Sequence, residues 1–486
     1  MHTGVNNLTT SVSVGKDGTH DSNDKVLPMS VTATAEAEAF LERHPDIDSV
    51  DLLISDLNGV MRGKRIPRDN LVKAFSAGIN LPASLFALDI NGNTIEETGL
   101  GLSSGDGDRI CRPVEGTLMP CPWLRKGRQG QLLMTMFEAD GSGFFADPRQ
   151  VLQRVLRRFA DAGLTPVVAV ELEFYLVDRS RDAQGYAQPP CSPATGERAS
   201  QSQLYSINEL DEYADFLEDI QAAAAAQQLP LDTALKECAP GQFEINLTHC
   251  DDVLKACDSS VLLKRLIKGV AIQHGFEATF MAKPYGDEAG NGTHVHISLL
   301  DAQGHNVFAA EDDSPLGTPA LGHAVAGLLA LMPASMAIFA PNINSFRRFQ
   351  PGLYVPMSPT WGYDNRSVAV RIPSGPKAAK RIEHRVAGAD VNPYLLLATL
   401  LASIDHGLRQ QLAPPPPIEG NAYDQCEPSL TNSWQRALAL LADDEVLTEA
   451  LGEQFLHVYL ANRQAERDQA MQAVSQLEYD WYLRQV

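Results

Sequence analysis

Basic residues are scarce in this 486-residue sequence: 39 Lys plus Arg face 61 Asp plus Glu, a formal net charge of −22. Nucleic acid and anionic lipid are therefore poor partners, because like charges repel. The sign favours cations, metal ions or amines among them, although solubility alone also accounts for it. Cysteine gives no framework either. The seven cysteines (111, 121, 191, 238, 250, 257 and 426) are odd in number and include no C-x-x-C pair. Neither a disulfide scaffold nor a zinc knuckle follows. Residues 1–25 are polar and lack the apolar core of a signal peptide, so a reducing cytoplasm is the expected compartment. Glycine motifs for nucleotides are missing too: there is no Walker A loop and no G-x-G-x-x-G fingerprint. Long apolar runs are few. Leu321 to Ala340 lacks Asp, Glu, Lys and Arg over a length that could cross a bilayer. It is rich in Ala and Gly and contains His323 and Pro333, so a buried core helix broken at Pro333 is expected, not a membrane span.

What is present suffices for a globular protein, with 44% hydrophobic residues. The length suggests two to four domains, or a small module attached to one large catalytic unit. Residues 1–33 read as a flexible arm. A helical pattern from Ala35 leads to a strand-like run, Val50 to Asp56, ended by the turn Leu57-Asn58-Gly59. Short β-type runs continue to about Gly143, giving a small β-rich domain over 45–143. Asp147-Pro148 then predicts a helix start, with Asp as N-cap, Pro at the first helical position and apolar residues at Val151, Leu152, Val155, Leu156 and Phe159. A larger domain is expected over 147–486, with helices over Asp211–Gln228 and much of Leu451–Leu483.

Chemistry concentrates on strand-like segments. In the run from Val167 to Val177, alternation puts Glu171 and Glu173 on one face in an apolar context. Such a pair needs cations, shared protons or a water-filled cleft. Pro240-Gly241 marks a turn, so Glu237 and Glu244 fall on its two arms, and Glu244 shares a face with Gln242 and Asn246. After a glycine-rich loop from Gly290, His294, His296 and Ser298 share a face. Arg381, Glu383 and Arg385 do the same, and Arg366, Arg371 and Arg347-Arg348 add guanidinium groups suited to carboxylate or phosphate. An oxygen-rich set with few imidazoles suits Mg²⁺ or Mn²⁺ better than zinc. Two such ions amid arginines suit phosphoryl transfer. The residues alone point to a metal-dependent, phosphate-handling enzyme.

These segments, from Val170-Glu171-Leu172-Glu173-Phe174 through Ala239–Glu244, Gly292–His296, Asn344–Arg348, Asn365-Arg366-Ser367 and Arg381–Arg385 to Asn392-Pro393-Tyr394-Leu395, occur in an order that resembles the glutamine synthetase superfamily over about residues 45–486. The resemblance implies an α+β fold, an N-terminal β-grasp domain and a catalytic domain with a polar-lined antiparallel sheet. It also implies a ringed homo-oligomer, typically a dodecamer, with active sites between subunits. One metal site would be Glu173, Glu237 and Glu244; the other Glu171, His294 and Glu383. His296 and Ser298 would face the nucleotide, Arg366 and Arg371 the transferred phosphoryl group, with Arg381 nearby. Arg348, Arg385 and the Gly290 backbone would hold glutamate. The implied reaction is phosphorylation of the glutamate γ-carboxylate by ATP, then amine attack on the acyl phosphate.

The departures bear on the amine. Glutamine synthetases proper carry an acid within a Pro-Gly-aromatic-Glu-Ala-Pro loop; here Pro351-Gly352-Leu353-Tyr354-Val355-Pro356 puts Tyr354 at that position. A carboxylate for ammonium is lost and an aromatic wall gained. Asp56 matches the other ammonium-site acid, supplied by a neighbouring subunit in the family. The segments Asp56 to Lys64 and Pro359 to Gly362 look like the branch that makes γ-glutamyl-polyamines such as γ-glutamylputrescine. Ammonia, ethanolamine or a monoamine are the competing substrates, and a non-catalytic relative is the competing class. Asn421-Ala422-Tyr423-Asp424 resembles a loop whose tyrosine is adenylylated in some relatives, but its flanks differ and that modification is not expected.

Overall fold

The computed structural model describes residues 32–124, 127–201, 203–310 and 317–486. The expected N-terminal arm lies outside the described residues up to residue 31, and the first helix spans Thr32–Arg43. Six strands follow: β1 (Ser49–Ser55), β2 (Met61–Pro67), β3 (Ile79–Pro82), β4 (Asp108–Pro113), β5 (Met119–Pro120) and β6 (Gln129–Phe137). They form one sheet in the order β2-β1-β6-β4-β3, with β5 also on β6. The β1–β6 pair is parallel and the others are antiparallel. β1 is buried along its length, whereas Lys64 and Arg65 of β2 are exposed.

The turn between β1 and β2 is built on Asp56. Its Oδ1 accepts hydrogen bonds from the Asn58 N–H at 2.8 Å and the Val60 N–H at 2.9 Å. Gly59, at φ +74°, supplies the left-handed residue that closes it.

Asp147 caps the helix Pro148–Asp161 as the sequence predicts, accepting from the Arg149 N–H. The same carboxylate accepts from the Thr135 hydroxyl at 2.7 Å and the Met136 N–H at 2.8 Å. One buried acid thus stabilises the helix by about 1 kcal/mol and ties it to β6.

The second sheet comprises β7 (Thr165–Asp178), β8 (Leu231–Lys236), β9 (Gln242–Leu247), β10 (Phe276–Thr279), β11 (Thr293–Leu300), β12 (Trp361–Tyr363), β13 (Val370–Ile372) and β14 (Ile382–His384). Their order is β12-β13-β14-β11-β7-β9-β8, with β10 on the far end of β7. Only β12–β13 is parallel among these described pairs. Leu172, Phe174, Val295, Ile297 and Leu299 are fully buried, in one hydrophobic cluster with Val151, Val261, Leu328 and Leu397 of the helices.

Helix Pro319–Phe339 departs from expectation, because it runs unbroken through Pro333. Packing explains this: the helix lies against Pro393–Gln410, and a Cβ on Gly327 or Gly407 would stand 2.1 Å from the Ser403 or His323 carbonyl oxygen. Backbones that close, buried on both sides of the proline, outweigh its missing N–H. This is the one described helix long and apolar enough to cross a membrane, and 78% of its most apolar window is buried inside the protein.

Candidate active site

Strand register decides which charged side chains meet. Glu171 on β7 stands opposite His294 on β11, and Glu173 stands opposite Glu244 on β9. Glu383 on β14 lies opposite His296 on one side and Arg371 on the other. Since side chains at i and i+2 share a face, these rows bring the groups together on one side of the sheet.

Glu171 is the hub. Its Oε1 lies 2.8 Å from His296 Nε2 and its Oε2 lies 3.0 Å from His294 Nδ1. Glu383 accepts from Arg371 at 2.6 Å and from Arg385. Glu173 accepts from the Gly292 N–H at 2.7 Å. Two compact sets could each hold a metal ion: Glu171, Glu244 and His294, and Glu171, His296 and Glu383, with ligand atoms within 4.8 Å of one another. Apart from His296, these groups draw on the residues of the two expected sets, Glu173, Glu237 and Glu244, and Glu171, His294 and Glu383. Glu171 belongs to both sets, Glu244 joins His294, and His296, expected to face the nucleotide, stands with Glu171 and Glu383.

The electrostatics fit cation binding. Burial raises Glu171, but hydrogen bonds from His294 and His296 win and hold it well below the usual carboxylate range. Burial also raises Glu383, while Arg385, His294, His296 and Arg371 together bring it to about 2. Glu237 and Glu244 go the other way. Burial, then the charge of Glu173, pushes Glu237 to about 7; burial, then Glu171 and Glu173, pushes Glu244 to about 9. Carboxylates crowded until they retain protons are groups that a divalent cation would relieve.

The glycine loop explains its own composition. A Cβ on Gly290 would meet the Ala282 oxygen at 2.5 Å, and one on Gly292 would stand 2.7 Å from Arg348 Nη2 and 3.2 Å from Glu173 Oε1. Arg348 and Arg385 are 3% and 4% exposed. Each keeps a buried Nε with no hydrogen-bond partner among the described residues, which is donor capacity held in reserve. Arg381 donates from Nε to His296 Nδ1 at 3.1 Å. Ser298 is half-buried on the face of His296, and Arg366 is exposed.

Asp56 and Tyr354 are placed differently. The Asp56 carboxylate is fully enclosed by its own turn and by Arg62 at 2.8 Å. Burial pushes it upward against that pairing. Tyr354 is 62% exposed and sits at φ +54°, a left-handed conformation uncommon for a bulky residue.

Residues 145–482 match the sequence profile of the glutamine synthetase catalytic domain. The chain belongs to the glutamine synthetase family.

Among relatives, it is 48% identical to gamma-glutamylputrescine synthetase PuuA of Escherichia coli K12, covering 93% of this chain and 95% of that one. It is 34% identical to gamma-glutamylethanolamide synthetase GlnA4 of Streptomyces coelicolor, covering 90% and 92%. Its fold is similar to the solved structure of apo GmaS, with a TM-score of 0.78, 26% identity and coverage of 92% and 99%.

Within the family site, sequence reasoning left three residues without a role. Gln242 donates to the Gly290 carbonyl at 3.1 Å and to Asn291 at 3.2 Å, so it fastens the glycine loop to β9. Asn291, fully buried, anchors that loop to the Met281 carbonyl at 2.8 Å. Asp364 accepts from Arg371 at 2.5 Å on the side opposite Glu383. Gln242 shares a face with Glu244, the only signal that pointed to it; the other two depend on tertiary contacts.

Proposed function

We propose that this family member is an ATP-dependent ligase joining the γ-carboxylate of glutamate to a primary amine, with a polyamine such as putrescine as that amine. The observation that carries the reading is the row Arg371–Glu383–His296 beside Glu171–His294: cation-binding carboxylates and imidazoles interleaved with guanidinium groups on one sheet face. Such a set neutralises charge on a phosphate donor and a carboxylate acceptor at once. The relatives' names supply the amine class.

The face carrying these groups is the polar floor of the catalytic domain, residues 147–486, and residues 45–143 form a β-grasp domain beside it. Two Mg²⁺ or Mn²⁺ ions per active site would be held by Glu171, Glu173, Glu237, Glu244, His294 and Glu383. When bound, they offset phosphate charge and orient the ATP terminus. His296, Ser298 and Arg381 line the nucleotide side, and His296 also stands by the cations. The chain is a homo-oligomer, a dodecamer with shared sites, working in the cytoplasm.

Arg348 and Arg385, with free Nε donors, and the Gly290 backbone hold glutamate. Its γ-carboxylate oxygen attacks the ATP γ-phosphorus, forming γ-glutamyl phosphate and releasing ADP. Arg366 and Arg371 neutralise the migrating phosphoryl group. The amine nitrogen then attacks the γ-carbonyl carbon, the C–O bond to phosphate breaks, inorganic phosphate leaves, and the amine's surplus proton passes to water. The turn built on Asp56 of a neighbouring subunit and Tyr354 bracket the amine. Desolvated carboxylate is a poor electrophile until its oxygen becomes phosphate, which is why ATP is consumed first.

Purified protein with ATP, Mg²⁺, glutamate and a panel of amines tests this by ADP release and product mass. A γ-glutamyl amide of putrescine is expected; ADP release with ammonia exceeding that with every primary amine overturns the polyamine assignment.

A further inference from the structure

The loop that carries Tyr354 is tied to the rest of the protein by the buried Val355 side chain and by Tyr423. Gly352 and Tyr354 both have positive φ, +83° and +54°, so the loop backbone departs from extended geometry at alternate residues. Next to Tyr354, the carbonyl of Val355 accepts a hydrogen bond from the Tyr423 hydroxyl at 2.9 Å. Tyr423 belongs to the short helix Ala422–Gln425, capped by Asn421. That helix is tied in turn to the segment bearing Arg366. The Ala422 N–H donates to Ser367 Oγ at 2.9 Å, and Ser367 Oγ donates to Asn365 Oδ1 at 2.7 Å. Asn365 Nδ2 closes the ring of contacts on the Gly420 carbonyl at 2.8 Å.

A continuous chain of hydrogen bonds thus runs from the Arg366 turn, through Tyr423, to the peptide beside Tyr354. The Tyr423 phenol is half-buried, and the charges of Arg348 and Arg385 bear on it together with the Tyr354 phenol. Tyr423 therefore stands where the glutamate-holding arginines, the phosphoryl-facing arginine and the amine loop converge.

We propose that Tyr423 is a positioning residue for amine selection: its hydroxyl, bonded to the Val355 carbonyl, sets where the Tyr354 wall stands relative to the Arg366 turn. The inference rests on the ligase reading and adds to it the element that fixes the geometry of the amine pocket. Loss of the hydroxyl with retention of the ring loosens the loop without opening a cavity, while Val355 stays anchored in the core.

Two measurements on the full-length protein test it. In steady-state assays Tyr423→Phe raises the KM for putrescine about fivefold, the equilibrium worth of one hydrogen bond. The KM values for glutamate and ATP stay within about twofold, a split that general destabilisation would not produce. Hydrogen–deuterium exchange of peptides covering residues 352–357 becomes about fivefold faster in Tyr423→Phe, while helix Pro393–Gln410 is unchanged. Ser367→Ala, which loosens the other end of the chain, gives the same pattern at smaller size and serves if Tyr423→Phe does not fold. An unchanged amine KM overturns the proposal, as do parallel rises in all three KM values or unaltered loop exchange. If the wild-type protein turns over no amine, the ligase reading fails on its own, and loop exchange still decides whether Tyr423 fastens the loop.

Discussion

The sheet centre and the Tyr354 loop hold their functional groups in opposite ways. Glu383 is 1% exposed and is gripped by Arg371 and Arg385, and Glu171 is gripped by two histidines. Glu171, the two histidines and Glu383 stand on β7, β11 and β14, so strand register fixes the spacing of their backbones. Tyr354 is 62% exposed on a loop, and the neighbouring peptide is held by the buried Val355 side chain and by a hydrogen bond from the Tyr423 phenol. The contrast separates two tasks. Phosphoryl transfer to a carboxylate needs fixed charges, which register in a buried sheet supplies; in the proposed function the choice of amine rests on a side chain that can be exchanged without disturbing that sheet.

Breaking the rigid side has the largest expected effect. Glu171→Gln removes one of the two carboxylates in each group that could hold a metal ion and lowers kcat on the order of 10³-fold, read by ADP release; Glu173→Gln, at a proposed ligand, has an effect of the same order. A near-normal rate for either contradicts its place among the cation ligands. The helices behind the sheet matter next. Gly327→Ala forces a methyl group into the Ser403 carbonyl and destabilises by about 3 kcal/mol, seen as a lower Tm; an unchanged Tm contradicts the close helix contact that carries the chain through Pro333.

On the adaptable side, Tyr354→Glu puts an acid at the loop position proposed to face the amine and shifts the ratio of ammonia to putrescine turnover about tenfold toward ammonia. It leaves the glutamate KM unchanged. An unaltered ratio shows that the loop does not discriminate between amines.

A smaller effect concerns protons at the sheet centre. Glu237 and Glu244, raised to about 7 and about 9 by burial and neighbouring carboxylates, bind more protons in the folded than in the unfolded chain from about pH 4.3 upward. Raising the pH through that window therefore lowers the stability of metal-free protein. A divalent cation displaces those protons, so the Tm gap between Mg²⁺-saturated and EDTA-treated protein widens by several degrees from about pH 5 to about pH 8. A gap independent of pH contradicts the crowding of these carboxylates.

Much of the site was legible in the sequence because strand alternation is local. It puts Glu171 beside Glu173, and His294 beside His296, on shared faces. What alternation cannot give is register. The pairing of Glu383 with His296, and of Glu171 with His294, depends on how strands far apart in sequence align. Helix Pro148–Asp161 was legible from its Asp-Pro start, whereas the continuity of Pro319–Phe339 was not, since a tertiary glycine contact overrides the local signal of Pro333. Asp56 stood out by its motif, yet its enclosure by Arg62 and the turn amides emerges only from the fold.

The most direct test of the account is the ratio of kcat/KM for putrescine to that for ammonia, measured with saturating ATP, Mg²⁺ and glutamate. A ratio well above one is expected, with γ-glutamylputrescine as the product identified by mass. A ratio below one, with glutamine as the product, would contradict it.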